Sequence, residues 1–309
     1  MIHIHELTKS FGNSPAVDRL SLDIQEGDLF GFIGPNGAGK TTTMRILATL
    51  QRPTTGSATV GGHDVVNARM EIRKIMGFMP DHMGMYEEMT VVEYLEFYAA
   101  LYQIPREQHK TLIGDLLALV NFRKGDDRRV GTLSKGERQI LALAKTLVHR
   151  PKILILDEPA EGLDPQARIE LRDTLKELKR MGKTIFISSH ILTELAELCD
   201  RFAIIERGRL VIAGDTKQIL EKFSAQMAME VDLEADAERA AKLVGELGAT
   251  FRVRVASPTQ IEVRIEGGDE AVAKMITVLT GAGLSVRGVK RKEANLEDLF
   301  MQLTQGEVA

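Results

Sequence analysis

A chain of 309 residues, 44% hydrophobic and 27% charged, has the make-up of an ordinary globular protein and the length for one large domain plus a smaller one. A formal net charge of −4 gives no electrostatic case for a nucleic-acid partner, and none is expected. The single cysteine, Cys199, excludes an internal disulfide and fits a reducing compartment, as a small buried hydrophobe rather than a nucleophile.

In chain order, residues 1–6 alternate as a strand with His3 and His5 on one face and no third metal ligand in sight. They lack the basic flank and apolar stretch of a signal peptide. No stretch approaches the roughly 18 unbroken apolar residues of a membrane span. A cytosolic protein is therefore expected, meeting a membrane only through a partner. Residues 29–33 form a short apolar run entering glycines, followed by a helical stretch over 41–50. Residues 90–120 carry two helical patterns broken at Ile104-Pro105, read as an all-helical insertion. The runs 152–156 and 184–187 are continuously apolar, as strands buried on both faces are, and 166–180 between them has helical periodicity. This alternation predicts an α/β domain over 1–222, with its helical part over about 88–150. From about residue 226 the order becomes β-α-β-β-α-β, with strands at 227–233, 251–256, 260–266 and 284–290 and helices at 235–247 and 269–280. That is the ferredoxin-like arrangement, a small α+β domain over 226–309 with a short terminal helix at 296–303.

Gly34-Pro35-Asn36-Gly37-Ala38-Gly39-Lys40-Thr41 fits the pattern G-x-x-x-x-G-K-[ST] and lies between an apolar strand and a helix, the context that the pattern requires. Small residues let backbone N–H groups converge on a β-phosphate, and the helix N-terminus that follows favours an anion. Lys40 is the cation for the β- and γ-phosphates, the Thr41 hydroxyl a ligand for Mg²⁺, and Thr42 a donor to the α-phosphate. The chain is thus read as binding ATP.

The buried run 152–156 ends in Asp157-Glu158. Ligands of open α/β sheets bind beyond the carboxyl ends of the strands, so two carboxylates there suit a nucleotide site. Asp157 is the candidate to hold Mg²⁺, through water, and Glu158 the candidate to orient and deprotonate the attacking water.

Leu133-Ser134-Lys135-Gly136-Glu137 opens a helical stretch, and Ser134-x-x-Glu137 is a capping box, so a helix with an anion-ready N-terminus begins at Ser134. This pentapeptide resembles the signature motif of ATP-binding cassette (ABC) proteins. Asp157-Glu158-Pro159-Ala160-Glu161-Gly162-Leu163-Asp164-Pro165 resembles that family's acidic strand end and D-loop, and Ser188-Ser189-His190 its switch histidine. Phe11 fits the aromatic that stacks on adenine. The resemblance covers about residues 2–220. It implies a head-to-tail pair of cassettes in which Ser134, Gly136 and Glu137 of one copy close over ATP held by the other, with Glu158 and His190 as catalytic residues.

Lys135 and Glu137 stand where the family's signature usually has glycine and glutamine. Asp81 stands where it normally has a glutamine that contacts Mg²⁺ and water. Two readings of Asp81 remain: a water-bridged contact with the metal, or a side chain turned to solvent that weakens coupling to the helical part. One phosphate loop, one signature, no sustained heptads and no cysteine cluster leave the ATPase subunit of a transporter, paired as a homodimer with separate membrane permease chains. Residues 158–165 and 295–300 resemble bacterial exporters of the ABC-2 kind. An importer ATPase with a regulatory C-terminal domain and a soluble ATPase acting on nucleic acid or ribosomes are the alternatives.

Overall fold

The computed structural model describes residues 1–12, 14–82, 84–122, 127–191, 195, 197–219, 227–248, 250–265 and 268–292. The chain divides into two compact units at residues 216/217, a few residues before the change in sequence texture. The predicted terminal helix at 296–303 lies outside the described residues.

In the first unit, β1 (Ile2–Phe11), β2 (Ser14–Ile24), β4 (Thr55–Val60) and β5 (His63–Asp64) form an antiparallel sheet in the order β2-β1-β4-β5. His3 and His5 do share the outer face of β1, where His3 Nδ1 meets Asp23 Oδ1 at 2.7 Å. The second sheet runs β10-β9-β3-β8-β7-β6, from β3 (Leu29–Ile33), β6 (Met76–Met79), β7 (Ile153–Leu156), β8 (Thr184–Ser189), β9 (Arg201–Glu206) and β10 (Arg209–Asp215). All pairings in it are parallel except β9–β10.

Every residue of β3, β7 and β8 is buried, which is why residues 29–33, 153–156 and 185–187 run without a polar side chain instead of alternating. Phe186 packs against Phe30 and Phe32 at centroid distances of 6.0 and 5.2 Å. Side chains of this size contribute roughly 1.5–3 kcal/mol each on burial, so the central strands are held where the chemistry needs them fixed. Helices α1 (Lys40–Leu47) and α2 (Arg69–Ile75) follow β3 and β5. The predicted helix over 41–50 ends sooner. Thr49, at φ 61°, reverses the chain, and the N–H groups of Leu50 and Gln51 both return to Arg45 O.

The insertion contains α3 (Val91–Leu101), α4 (Arg106–Leu119) and α5 (Lys135–Leu147), and α6 (Pro165–Arg180) bridges β7 and β8. Thr90 and Ser134 start α3 and α5 with full capping boxes, to Glu93 and Glu137, and Asp164 caps α6 with Pro165 at its first position.

The second unit holds β11 (Met227–Leu233), α7 (Ala237–Gly245), β12 (Phe251–Ser257), β13 (Gln260–Ile265), α8 (Gly268–Gly281) and β14 (Val286–Lys292). Its strands form an antiparallel sheet in the order β12-β13-β11-β14. Val231, Leu233, Ile261, Val263 and Ile265 from the sheet, with Ala240, Val244, Met275 and Leu279 from the helices, make its core.

Candidate ATP site

Strands β3, β8, β7 and β6 lie side by side and parallel, so their carboxyl ends deliver the 34–39 loop, Ser188-Ser189-His190, Asp157-Glu158 and Asp81 to one edge of the sheet. The turn at residues 34–39 is possible only with its glycines. A Cβ on Gly34 would stand 2.4 Å from Ile205 O, and one on Gly39, at φ 104°, 2.4 Å from Ala16 O. Asn36 and Gly37 are exposed at the crest of the loop, while Ala38 is buried. Helix α1 starts behind it with no side-chain cap and no acid in its first turn. Its leading N–H groups and positive dipole end are thus left for an anion.

Lys40 is buried, and its ammonium donates to Gly34 O at 2.6 Å and Pro35 O at 3.2 Å. It also stands 3.2 Å from Glu158 Oε1, an ion pair without hydrogen-bond geometry. The other Glu158 oxygen lies 3.0 Å from His190 Nδ1. Lys40, Glu158 and His190 therefore form one continuous polar chain. Glu158 sits at φ 48°, where the strand turns away, and its N–H donates to Ser188 Oγ at 2.9 Å. The same Ser188 hydroxyl donates to Asp157 Oδ1 at 2.8 Å. One side chain of β8 thus fixes both acids at the end of β7.

Asp157 is 1% exposed, and its Oδ2 has no hydrogen-bond partner. Burial pushes its carboxyl above the usual aspartate range, against hydrogen bonds from Ser188 and Thr41, with repulsion from Glu158 and Asp81 adding to the rise. A desolvated carboxylate oxygen without a donor, beside the Thr41 hydroxyl, is an all-oxygen set of the kind that a small hard cation takes. The residues fit Mg²⁺.

Asp81 is drawn into this acidic cluster. Its Oδ2 lies 2.7 Å from His82 Nδ1, and it neighbours Glu161, whose carboxyl is raised chiefly by the Asp81 carboxyl beside it, then by burial and the charge of Glu158. Sequence reasoning had assigned no role to Ser188 or Glu161. The signal for Glu161 was an acid set between Ala160 and Gly162, three residues after Glu158.

Ser134, Gly136 and Glu137 lie apart, at the N-terminus of α5, lining a cavity of about 390 Å³. Phe11, half exposed at the end of β1, pairs with Ser14 of β2, the strand whose Ala16 O faces Gly39.

A family model described as ABC transporter matches residues 17–161. Nod factor export ATP-binding protein I of Rhizobium meliloti is 33% identical over 99% of this chain and 89% of its own. Linearmycin resistance ATP-binding protein LnrL of Bacillus subtilis (strain 168) is 27% identical over 98% of both chains. The chain belongs to the ABC transporter ATP-binding family. A solved structure of an ATP-binding subunit of an ABC transporter superposes with a TM-score of 0.65 at 26% identity, over 72% of this chain and 93% of that one. The ABC cassette fold is thereby established for the first unit. This ABC protein is the ATP-binding subunit of a transporter and an ATPase. Among the described residues no helix is long and apolar enough to cross a membrane.

Proposed function

We propose that the chain drives export as a homodimer docked beneath separate permease chains, at the cytoplasmic face of a cell membrane. The observation that carries the reading is the chain Lys40–Glu158–His190 at the ends of adjacent strands, with an unpartnered Asp157 oxygen beside it. The direction rests on relatives named for export and for linearmycin resistance.

In this reading Gly34, Pro35, Asn36, Gly37, Ala38, Gly39, Lys40, Thr41 and Thr42 cradle the phosphates, and Phe11 stacks on adenine. Thr41 and Asp157 would hold Mg²⁺, and Asp81 would assist through water. The ion would supply charge neutralisation to the phosphates. Glu158 takes the proton of the attacking water, and His190 positions the γ-phosphate and links hydrolysis to reopening. Ser134, Gly136 and Glu137 of the second copy close over the same ATP and exclude water. Residues 1–222 act as the cassette, with its helical part at about 88–150. The surface around residues 81–89 passes the closure to the permease. Residues 226–309 act as an accessory domain, and the observed strand order supports a ferredoxin-like assignment for it.

Isolation of the tagged full chain from detergent-solubilised cells tests the reading. Integral membrane chains and ATPase activity are expected together in the eluate. Recovery with ribosomes and without membrane chains would sink it.

A further inference from the structure

Glu137 stands where the family's signature has an uncharged glutamine, and a carboxylate at that helix end opposes a phosphate. The structure deals with its charge locally. One oxygen, Oε2, accepts the N–H of Ser134 at 2.9 Å, completing the capping box. The other, Oε1, is met at 2.7 Å by the guanidinium of Arg128. Arg128 is itself steadied on two sides. Its guanidinium lies 5.9 Å from the centre of the Phe122 ring, and its backbone carbonyl accepts Val91 N–H at 3.0 Å, at the start of α3. Phe122, Arg128, Ser134, Gly136 and Glu137 line one cavity, so the pair sits on the face that carries the signature. A surface ion pair of this kind adds little stability, which leaves its effect on an incoming anion as its main consequence.

We propose that Arg128 is a positioning residue for closure of the cassette dimer: it holds the Glu137 carboxylate in the cap and neutralises it, so that the amides of α5 meet the partner's γ-phosphate without an opposing charge. This rests on the shared-site reading above. With Arg128 removed, Glu137 keeps its place but presents a net negative charge near the phosphate. At a separation of about 7 Å and an effective dielectric of about 40, that repulsion weakens γ-phosphate-dependent closure by about tenfold.

The test uses the full chain, with ATPase kinetics, ATP-dependent dimerisation by light scattering, and binding of a fluorescent ATP analogue to the monomer. Arg128→Ala is expected to raise KM for ATP by about tenfold with kcat within about twofold, and to leave analogue binding to the monomer unchanged. Arg128→Lys, which keeps the charge, should restore most of the loss. In a Glu137→Gln background, Arg128→Ala should change KM by less than about twofold. The proposal is overturned if Arg128→Ala leaves KM unchanged, if its effect persists undiminished beside Glu137→Gln, or if both backgrounds lose the same thermal stability along with activity. Failure of the unsubstituted chain to dimerise with ATP under any condition would instead remove the shared-site reading itself.

Discussion

The Lys40 ammonium lies 3.2 Å from Glu158 Oε1 and donates to Gly34 O at 2.6 Å, so the phosphate-binding cation is held by the acid that is to activate water. ATP must part this pair, which frees Lys40 to meet phosphate and Glu158 to meet water. Glu158→Gln keeps a neutral oxygen near Lys40 but removes the proton acceptor. Turnover should fall by about 10²–10⁴-fold, while ATP binding persists or tightens. Light scattering with ATP should show an accumulated dimer. Normal turnover would place water activation elsewhere.

Asp157 has the opposite character: it is poorly placed until a cation arrives. Its carboxyl is raised chiefly by burial, so the folded state binds a proton more tightly than the unfolded one. Stability therefore falls as pH rises from the unfolded value through the raised folded one, and the deficit is fully present above the folded value. Asp157→Asn should remove it. In the nucleotide-free protein Tm at neutral pH should rise by a few degrees, at roughly 2–4 °C per kcal/mol for a unit of this size, and its slope with pH should flatten. ATPase activity should disappear. A lower Tm in Asp157→Asn would show that the aspartate stabilises the fold.

Much of this was legible because the relevant signals are local. The phosphate loop, the capping box at Ser134, and the buried runs of β7 and β8 follow from spacing and side-chain type. The β-α-β-β-α-β order of the second unit was likewise legible from alternation. What could not be read is what the tertiary fold brings together. Ser188 and Asp157 are 31 positions apart in sequence, and only the parallel pairing of β7 with β8 makes one hydroxyl serve two acids. The left-handed turn at Glu158 and the contact of Asp81 with Glu161 have no local signature either. Nor does the Arg128–Glu137 pair, because propensity takes no account of charge across a loop.

Asp81 bears on both readings left open by the sequence. Its carboxyl is engaged with His82 and Glu161, and its charge reaches Asp157. A carboxylate placed this way should assist a metal without binding it directly. Asp81→Asn should raise the Mg²⁺ concentration for half-maximal ATPase activity by about tenfold, the size expected of an outer partner, with a smaller change in KM for ATP at saturating metal. An unchanged Mg²⁺ titration would exclude the metal-linked role.

Gly39 is the most constrained position of the phosphate loop. Its φ of 104° is a conformation that L side chains rarely adopt, and a Cβ there would stand 2.4 Å from Ala16 O, a backbone atom of β2 that cannot swing aside. Alanine would have to push the loop off β2 or unwind the first turn of α1, and either movement displaces Lys40. The expected cost is about 2–4 kcal/mol, the range for steric and backbone strain combined, together with loss of measurable ATP binding. Gly37→Ala is the control. That residue also has a positive φ, 80°, but its Cβ would meet nothing within 4 Å. It should cost only about 1 kcal/mol and keep the fold. Thermal unfolding with and without ATP separates the two. Equal losses at both positions would mean that conformational strain alone, and not the approach of β2, limits the loop.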